Sequence, residues 1–153
     1  MDSREVSAVK VICRFRPLNS TEQARGDEYL PKFKDEDQVL FVGKIYKFDA
    51  VVKPEESQRV VYNSVASKLV DDVLLGQNGT VFAYGQTSSG KTYTMEGLNI
   101  QDADRQGIIP RIASDVFTKI YQKPENIEFI IKISYFEIYL DRIRDLLDPN
   151  RLI

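Results

Sequence analysis

From Val9 to Phe15 the apolar residues Val9, Val11, Cys13 and Phe15 are spaced by Lys10, Ile12 and Arg14. That period of two predicts a strand, which Pro17 ends. Residues 20–37 are polar, with only scattered apolar positions at Tyr29, Leu30 and Phe33. Residues 39–42 and 45–48 flank Gly43-Lys44 and predict a small hairpin. The period then changes. Val61, Val65, Leu69 and Val73 recur every fourth position, widened by Tyr62, Ala66, Val70 and Leu74. This predicts one helix, with Ser57 as its N-cap and Gly76 as its stop. After the turn dipeptide Asn78-Gly79, residues 80–84 are short, apolar and uncharged, the pattern of a strand buried on both faces. A glycine-bounded loop and a second helix start over residues 91–95 follow directly. Residues 96–106 form a polar interruption. Ile109, Ile112, Val116 and Ile120 then predict a helix with Pro110 in its first turn and Pro124 after its end. Ile127, Phe129, Ile131, Ile133 and Tyr135 alternate as a long strand reaching Tyr139, and residues 140–148 form a short element whose type the pattern leaves open. The element order is α/β, with a mostly parallel sheet.

The loop between the apolar run and the helix start carries the chemistry. Gly85-Gln86-Thr87-Ser88-Ser89-Gly90-Lys91-Thr92 matches G-x-x-x-x-G-K-[ST] at every fixed position. Gly85 and Gly90 allow the backbone to turn so that successive N–H groups point at phosphate oxygens. Lys91 is expected to place its ammonium on the β- and γ-phosphates, and the Thr92 hydroxyl to ligate Mg²⁺. The motif follows a strand pattern and opens a helix, the context in which it signals nucleotide binding rather than a glycine turn beside an incidental lysine. A P-loop enzyme also needs an acidic magnesium partner and a water-positioning group. No apolar run ends in such an acid. Asp145 is a poor candidate, Asp141 and Asp148 are no better placed, and all three read as solvated acids.

Composition removes other chemistries. The 153 residues hold no histidine, which excludes Ser-His triads and His metal sites, and one cysteine, which excludes an internal disulfide or a Cys-based zinc site. Cys13, inside an apolar alternation, reads as a structural thiol. A net charge of −2 gives no reason to expect nucleic acid, and no apolar run approaches a membrane span. The N-terminus is polar and charged, unlike a signal peptide, so a cytoplasmic location is the default expectation.

Several separate stretches resemble kinesin motor domains. They are Arg14-Phe15-Arg16-Pro17, then Phe82-Ala83-Tyr84 continuing through the loop to Tyr93-Thr94-Met95, then Gly107-Ile108-Ile109-Pro110-Arg111, Tyr135-Phe136-Glu137-Ile138-Tyr139 and Asp145-Leu146-Leu147. Cys13 to Asn19 and the Ser88-Ser89 pair are most similar to the conventional heavy-chain branch of that family. The resemblance covers residues 9–148, after an N-terminal extension at 1–8 and before a divergent tail at 149–153. It implies a P-loop NTPase fold with a mostly parallel central sheet and helices on both faces. It further implies an ATP-driven, microtubule-based motor of the cytoskeleton, with ATP or ADP and Mg²⁺ at residues 85–92. Arg14 and Pro17 would border the adenine and Tyr93 would stack on it, as a planar guanidinium or an aromatic ring can. Residues 96–106 would be the loop that interrupts the P-loop helix, where inhibitors act in some relatives.

The family's two nucleotide-sensing switches, Asn-x-x-Ser-Ser-Arg-Ser-His and Asp-Leu-Ala-Gly-Ser-Glu, do not occur in the sequence. The resemblance therefore implies an incomplete motor domain, with its main microtubule-binding elements elsewhere. In such a fold the strand at 80–84 lies between two later strands, so its expected neighbours are missing and the isolated chain is expected to fold poorly. Two other readings stand beside the motor. One is a non-catalytic piece that binds nucleotide or associates through an exposed sheet. The other is an unrelated P-loop kinase or GTPase, although no Asn-Lys-x-Asp guanine signature occurs.

Overall fold

The computed structural model describes residues 9–148; the expected extension at 1–8 and tail at 149–153 lie outside them. The chain divides into two compact units, residues 1–119 and 120–153.

In the first unit, β1 (Ile12–Arg14) pairs in parallel with β5 (Ala50–Val52), Cys13 opposite Val51. The strand is shorter than its alternating pattern because its partner offers three residues. A second, antiparallel sheet is built from β2 (Lys32–Phe33), β3 (Gln38–Phe41) and β4 (Lys44–Lys47). The expected hairpin forms, but the turn is Val42-Gly43, with φ of 45° and 75°. This two-residue loop has positive φ at both positions, as in a type I′ turn, so Val42 leaves the strand and takes a conformation that a β-branched residue rarely adopts.

Between β1 and β2 stands a helix that the apolar pattern does not reveal, α1 (Ser20–Ala24), because it buries nothing. Its signal is the cap. The Asn19 side chain accepts from the Glu22 N–H at 2.9 Å, and the Glu22 carboxylate accepts from the Asn19 N–H at 2.8 Å. Glu22 also pairs with Arg16, and that hydrogen bond, ahead of the one from Asn19, holds its carboxyl at about 2.

The helix expected over residues 58–75 is two helices, α2 (Gln58–Val65) and α3 (Ser67–Leu74), broken at the fully buried Ala66. Ser57 caps α2 as expected, its side chain accepting from the Val60 N–H, and Gly76 follows α3 with φ of 89°. Val52, Val61, Tyr62, Ala66 and Ile108 form the core, with Ile12, Val65, Val81, Met95 and Ile112 packed on it. Burying Val52 and Val61 contributes roughly 1.5–3 kcal/mol each. Tyr62 donates to Asp115 at 2.6 Å, and Lys119 bridges Asp115 and Asp71 at 2.9 and 2.7 Å. Burial, then the Asp115 carboxylate, pushes the Tyr62 hydroxyl well above its ordinary range. This network ties α2 and α3 to the helix of residues 108–121.

The segment 80–84 departs from expectation. It joins no strand ladder among the described residues, and it is covered on one face, not two. Val81 and Ala83 are half-buried, while Phe82 and Tyr84 are 81% and 92% exposed. Burial on both faces requires a layer on each side, and among the described residues of the first unit no strand lies paired beside this segment. Next come α4 (Lys91–Met95) and α5 (Ile108–Tyr121), the latter with Pro110 in its first turn as expected.

In the second unit, β6 (Phe136–Tyr139) and β7 (Arg142–Asp145) form an antiparallel hairpin, which assigns the element at 140–148. Its turn, Leu140-Asp141, has φ of 49° and 57°. The long strand expected from residue 127 is paired only over β6; residues 127–135 enter no ladder among the described residues. No described helix is long and apolar enough to cross a membrane.

Candidate functional site

The loop of residues 85–92 leaves the half-buried face of 80–84 and runs directly into α4. Two features show why glycine stands at both ends. A Cβ on Gly85 would lie 2.5 Å from the Ser89 hydroxyl oxygen and 3.2 Å from its Cβ, so a side chain there would force Ser89 to shift. Gly90, at φ of 98°, caps α4 in a left-handed conformation that any other residue adopts at a cost. Ser88 is also left-handed, at φ of 67°. Within the loop the Ser89 N–H donates to the Gln86 carbonyl at 3.2 Å. Among the described residues, the amides of Thr87, Ser88 and Gly90 have no backbone acceptor.

Lys91 folds back over this turn. Its ammonium donates to the Gly85 carbonyl at 2.7 Å and the Gln86 carbonyl at 2.9 Å. An ammonium has three donors, so one remains for a further acceptor. The next residue, Thr92, is exposed. A glycine-lined turn, amides without acceptors and a lysine reaching back across them fit a phosphate chain.

A second cluster adjoins the loop through α4. The Arg14 guanidinium lies over the Tyr93 ring, its Cζ 4.9 Å from the ring centroid. It donates to the Gln58 Oε1 and to the Thr94 hydroxyl, each at 2.9 Å. The Gln58 Nε2 donates to the Tyr93 carbonyl at 2.6 Å. Burial lowers the Arg14 guanidinium from its ordinary value, opposed by Tyr93. The end of β1, the start of α2 and α4 are thus joined by one polar set. Pro17 stands apart in its bonding: it is exposed after β1, where its carbonyl accepts from Arg16 at 3.0 Å.

Residues 96–106 are an ordered excursion between α4 and α5. Gly97 bridges Gln106, and the Gly107 N–H donates to the Glu96 carbonyl at 2.9 Å. The strands of this neck touch so closely that a Cβ on Gly107 would meet the Glu96 backbone at 2.6 Å. Arg111, 9% exposed, holds the excursion from α5 by donating to the carbonyls of Ala103 and Gln106.

Asp145, weighed as a magnesium partner, has a structural duty. Asp145 accepts from the Leu147 N–H at 2.9 Å and the Asp148 N–H at 3.3 Å, a turn cap after β7. Among the described residues, no group of three or more His, Cys, Asp or Glu residues could hold a metal. Cys13 is half-buried, and burial raises its thiol pKa, as expected of a structural thiol.

The family model of the kinesin motor domain matches residues 14–152. The chain belongs to the kinesin motor domain family. Kinesin-1 heavy chain of Homo sapiens is 59% identical over 143 residues, covering 94% of this chain and 15% of that protein. Kinesin heavy chain isoform 5C of Homo sapiens is 60% identical over 145 residues, with the same shares. The solved structure of a fast kinesin superposes with a TM-score of 0.87 at 43% identity, over 92% of this chain and 41% of that one. The α/β fold is therefore that of a kinesin motor, of which this chain spans a part.

Gln58 and Arg111 are the polar residues that sequence reasoning passed over. Gln58 had a signal: it lies three and four positions before Val61 and Tyr62, on the stripe that α2 buries. Arg111 had none beyond its place in a family motif, because its acceptors are carbonyls.

Proposed function

We propose that this chain is the nucleotide-binding portion of a microtubule-based motor that couples ATP hydrolysis to movement along microtubules in the cytoplasm. Residues 9–148 are the N-terminal part of its motor domain. The observation that carries the reading is Lys91 folded over a glycine-bounded loop, its ammonium on the Gly85 and Gln86 carbonyls. In this reading Gly85, Gln86, Thr87, Ser88, Ser89, Gly90 and Lys91 hold the phosphates of ATP or ADP through backbone N–H groups and the ammonium. The Thr92 hydroxyl is one ligand of Mg²⁺. Tyr93 offers a ring to the adenine, with Arg14 and Pro17 at its border. α4 has only five residues, so its dipole adds little, and the loop amides and Lys91 carry the binding.

Bound Mg²⁺ would neutralise charge developing on the transferred phosphoryl group. Hydrolysis also needs a positioned water and an acidic magnesium partner, for which these 153 residues hold no motif. Turnover and track binding are accordingly proposed for the longer protein, since the chain spans about 15% of the heavy chains it matches. The chain itself is expected to bind Mg²⁺-ATP and Mg²⁺-ADP saturably and to release no phosphate, with or without microtubules. Calorimetry and a phosphate-release assay read both. Absence of binding would overturn the proposal, and a preference for GTP would favour an unrelated P-loop enzyme.

A further inference from the structure

We infer that Gln58 is a positioning residue for nucleobase binding: its buried amide sets the Arg14 guanidinium against the Tyr93 ring and so fixes the flat surface beside the phosphate loop. This rests on the nucleotide reading above.

Gln58 is 3% exposed and is the first residue of α2, directly after the Ser57 cap. A buried amide is costly unless both its ends are bonded, and here both are. One partner, the Arg14 guanidinium, can only donate; the other, the Tyr93 carbonyl, can only accept. Together they determine which end of the amide is which. The side chain therefore spans two residues far apart in sequence, one ending β1 and one inside α4, and sets the spacing between them.

The consequence falls on Arg14. Its guanidinium is held by two acceptors, Gln58 Oε1 and Thr94 Oγ1, and the pair together fixes a planar group over a ring at 4.9 Å. With one acceptor the group can swing about the remaining bond, and an aromatic surface with a mobile cation beside it is a poorer stacking platform. The phosphate loop does not share this dependence. None of the hydrogen bonds of Lys91 or of the loop backbone involves Gln58. A base-bearing ligand should therefore report on Gln58, and a base-free one should not.

The test is a calorimetric comparison of Mg²⁺-ATP with Mg²⁺-tripolyphosphate, using the whole 153-residue chain and its Gln58→Leu, Arg14→Ala and double variants. Gln58→Leu is expected to weaken ATP binding about tenfold, within the range of base–aromatic stacking contributions. Tripolyphosphate binding should stay within about twofold of the unsubstituted chain, which also shows that the variant folds. In the Arg14→Ala background, Gln58→Leu should have no further effect on ATP, because Gln58 acts through Arg14. Equal losses for both ligands would mean a general structural role and overturn the inference, as would additive effects in the double variant. Unchanged ATP affinity in Gln58→Leu would overturn it while leaving the nucleotide reading intact. Failure of the unsubstituted chain to bind either ligand would instead remove that reading, and this inference with it.

Discussion

Lys91→Ala is expected to weaken Mg²⁺-ATP binding at least about a hundredfold, and Mg²⁺-tripolyphosphate binding by a similar factor. Two effects combine. The ammonium is the only cation within the loop 85–92, and hydrogen bonds to charged groups contribute about 1.5–3 kcal/mol each. The same ammonium also clamps the turn, bonding the Gly85 and Gln86 carbonyls. Alanine removes both the phosphate contact and the clamp. Lys91→Arg should fall between, because a planar fork keeps the charge but does not reproduce a compact ammonium over two carbonyls. Calorimetric titration distinguishes this variant from Gln58→Leu: loss at Lys91 strikes both ligands, loss at Gln58 only the one with a base. Unaltered ATP affinity in Lys91→Ala would mean that nucleotide, if bound, is held elsewhere.

The second large effect concerns the chain as a folded object. Phe82 and Tyr84 are 81% and 92% exposed, and in the second unit Ile130 and Ile133 are 76% and 77% exposed. Segments of this kind, apolar and outside any ladder, attract one another and other strands. The chain is expected to bind the apolar dye ANS strongly and to associate as its concentration rises through the micromolar range. It should also melt without a sharp cooperative transition. Phe82→Asn together with Tyr84→Asn should reduce the association while leaving the core of Val52, Val61 and Ile108 untouched. Sedimentation velocity and dye fluorescence measure both. A monodisperse chain with a sharp two-state melt would contradict this expectation.

The exposure also modifies the physical reason for it. A strand buried on both faces without its neighbours would leave backbone groups unpaired, each costing about 1–3 kcal/mol. With Phe82 and Tyr84 turned to solvent, the cost takes the form of apolar surface left in water.

The phosphate loop was legible because each of its constraints is a residue type: glycine where a Cβ collides or φ is positive, lysine and threonine at the helix start. Helices α2, α3 and α5 were legible because their apolar stripes face the core. The break between α2 and α3 was not, since Ala66 continues the stripe and only its φ of −120° marks the interruption. α1 escaped because it has no apolar stripe; its Asn19–Glu22 box was the available signal. The turns Val42-Gly43 and Leu140-Asp141 were obscured because Val42 and Leu140, at their first positions, are residue types that rarely take positive φ. Pairing at 80–84 and 127–135 failed for a different reason: a strand's propensity is local, but its ladder depends on what lies beside it. Gln58 was hidden by its type, because glutamine in a first helical turn ordinarily reads as solvated.

The most direct test of the central claim is an amide ¹H–¹⁵N NMR titration with Mg²⁺-ATP of the chain carrying Phe82→Asn and Tyr84→Asn, in which association is expected to be reduced. The account predicts saturable shifts concentrated at the backbone amides of residues 85–92, with smaller ones at Arg14 and Tyr93. Saturable shifts that leave Gly85, Gly90 and Lys91 unmoved, or no saturable shifts at all, would contradict it.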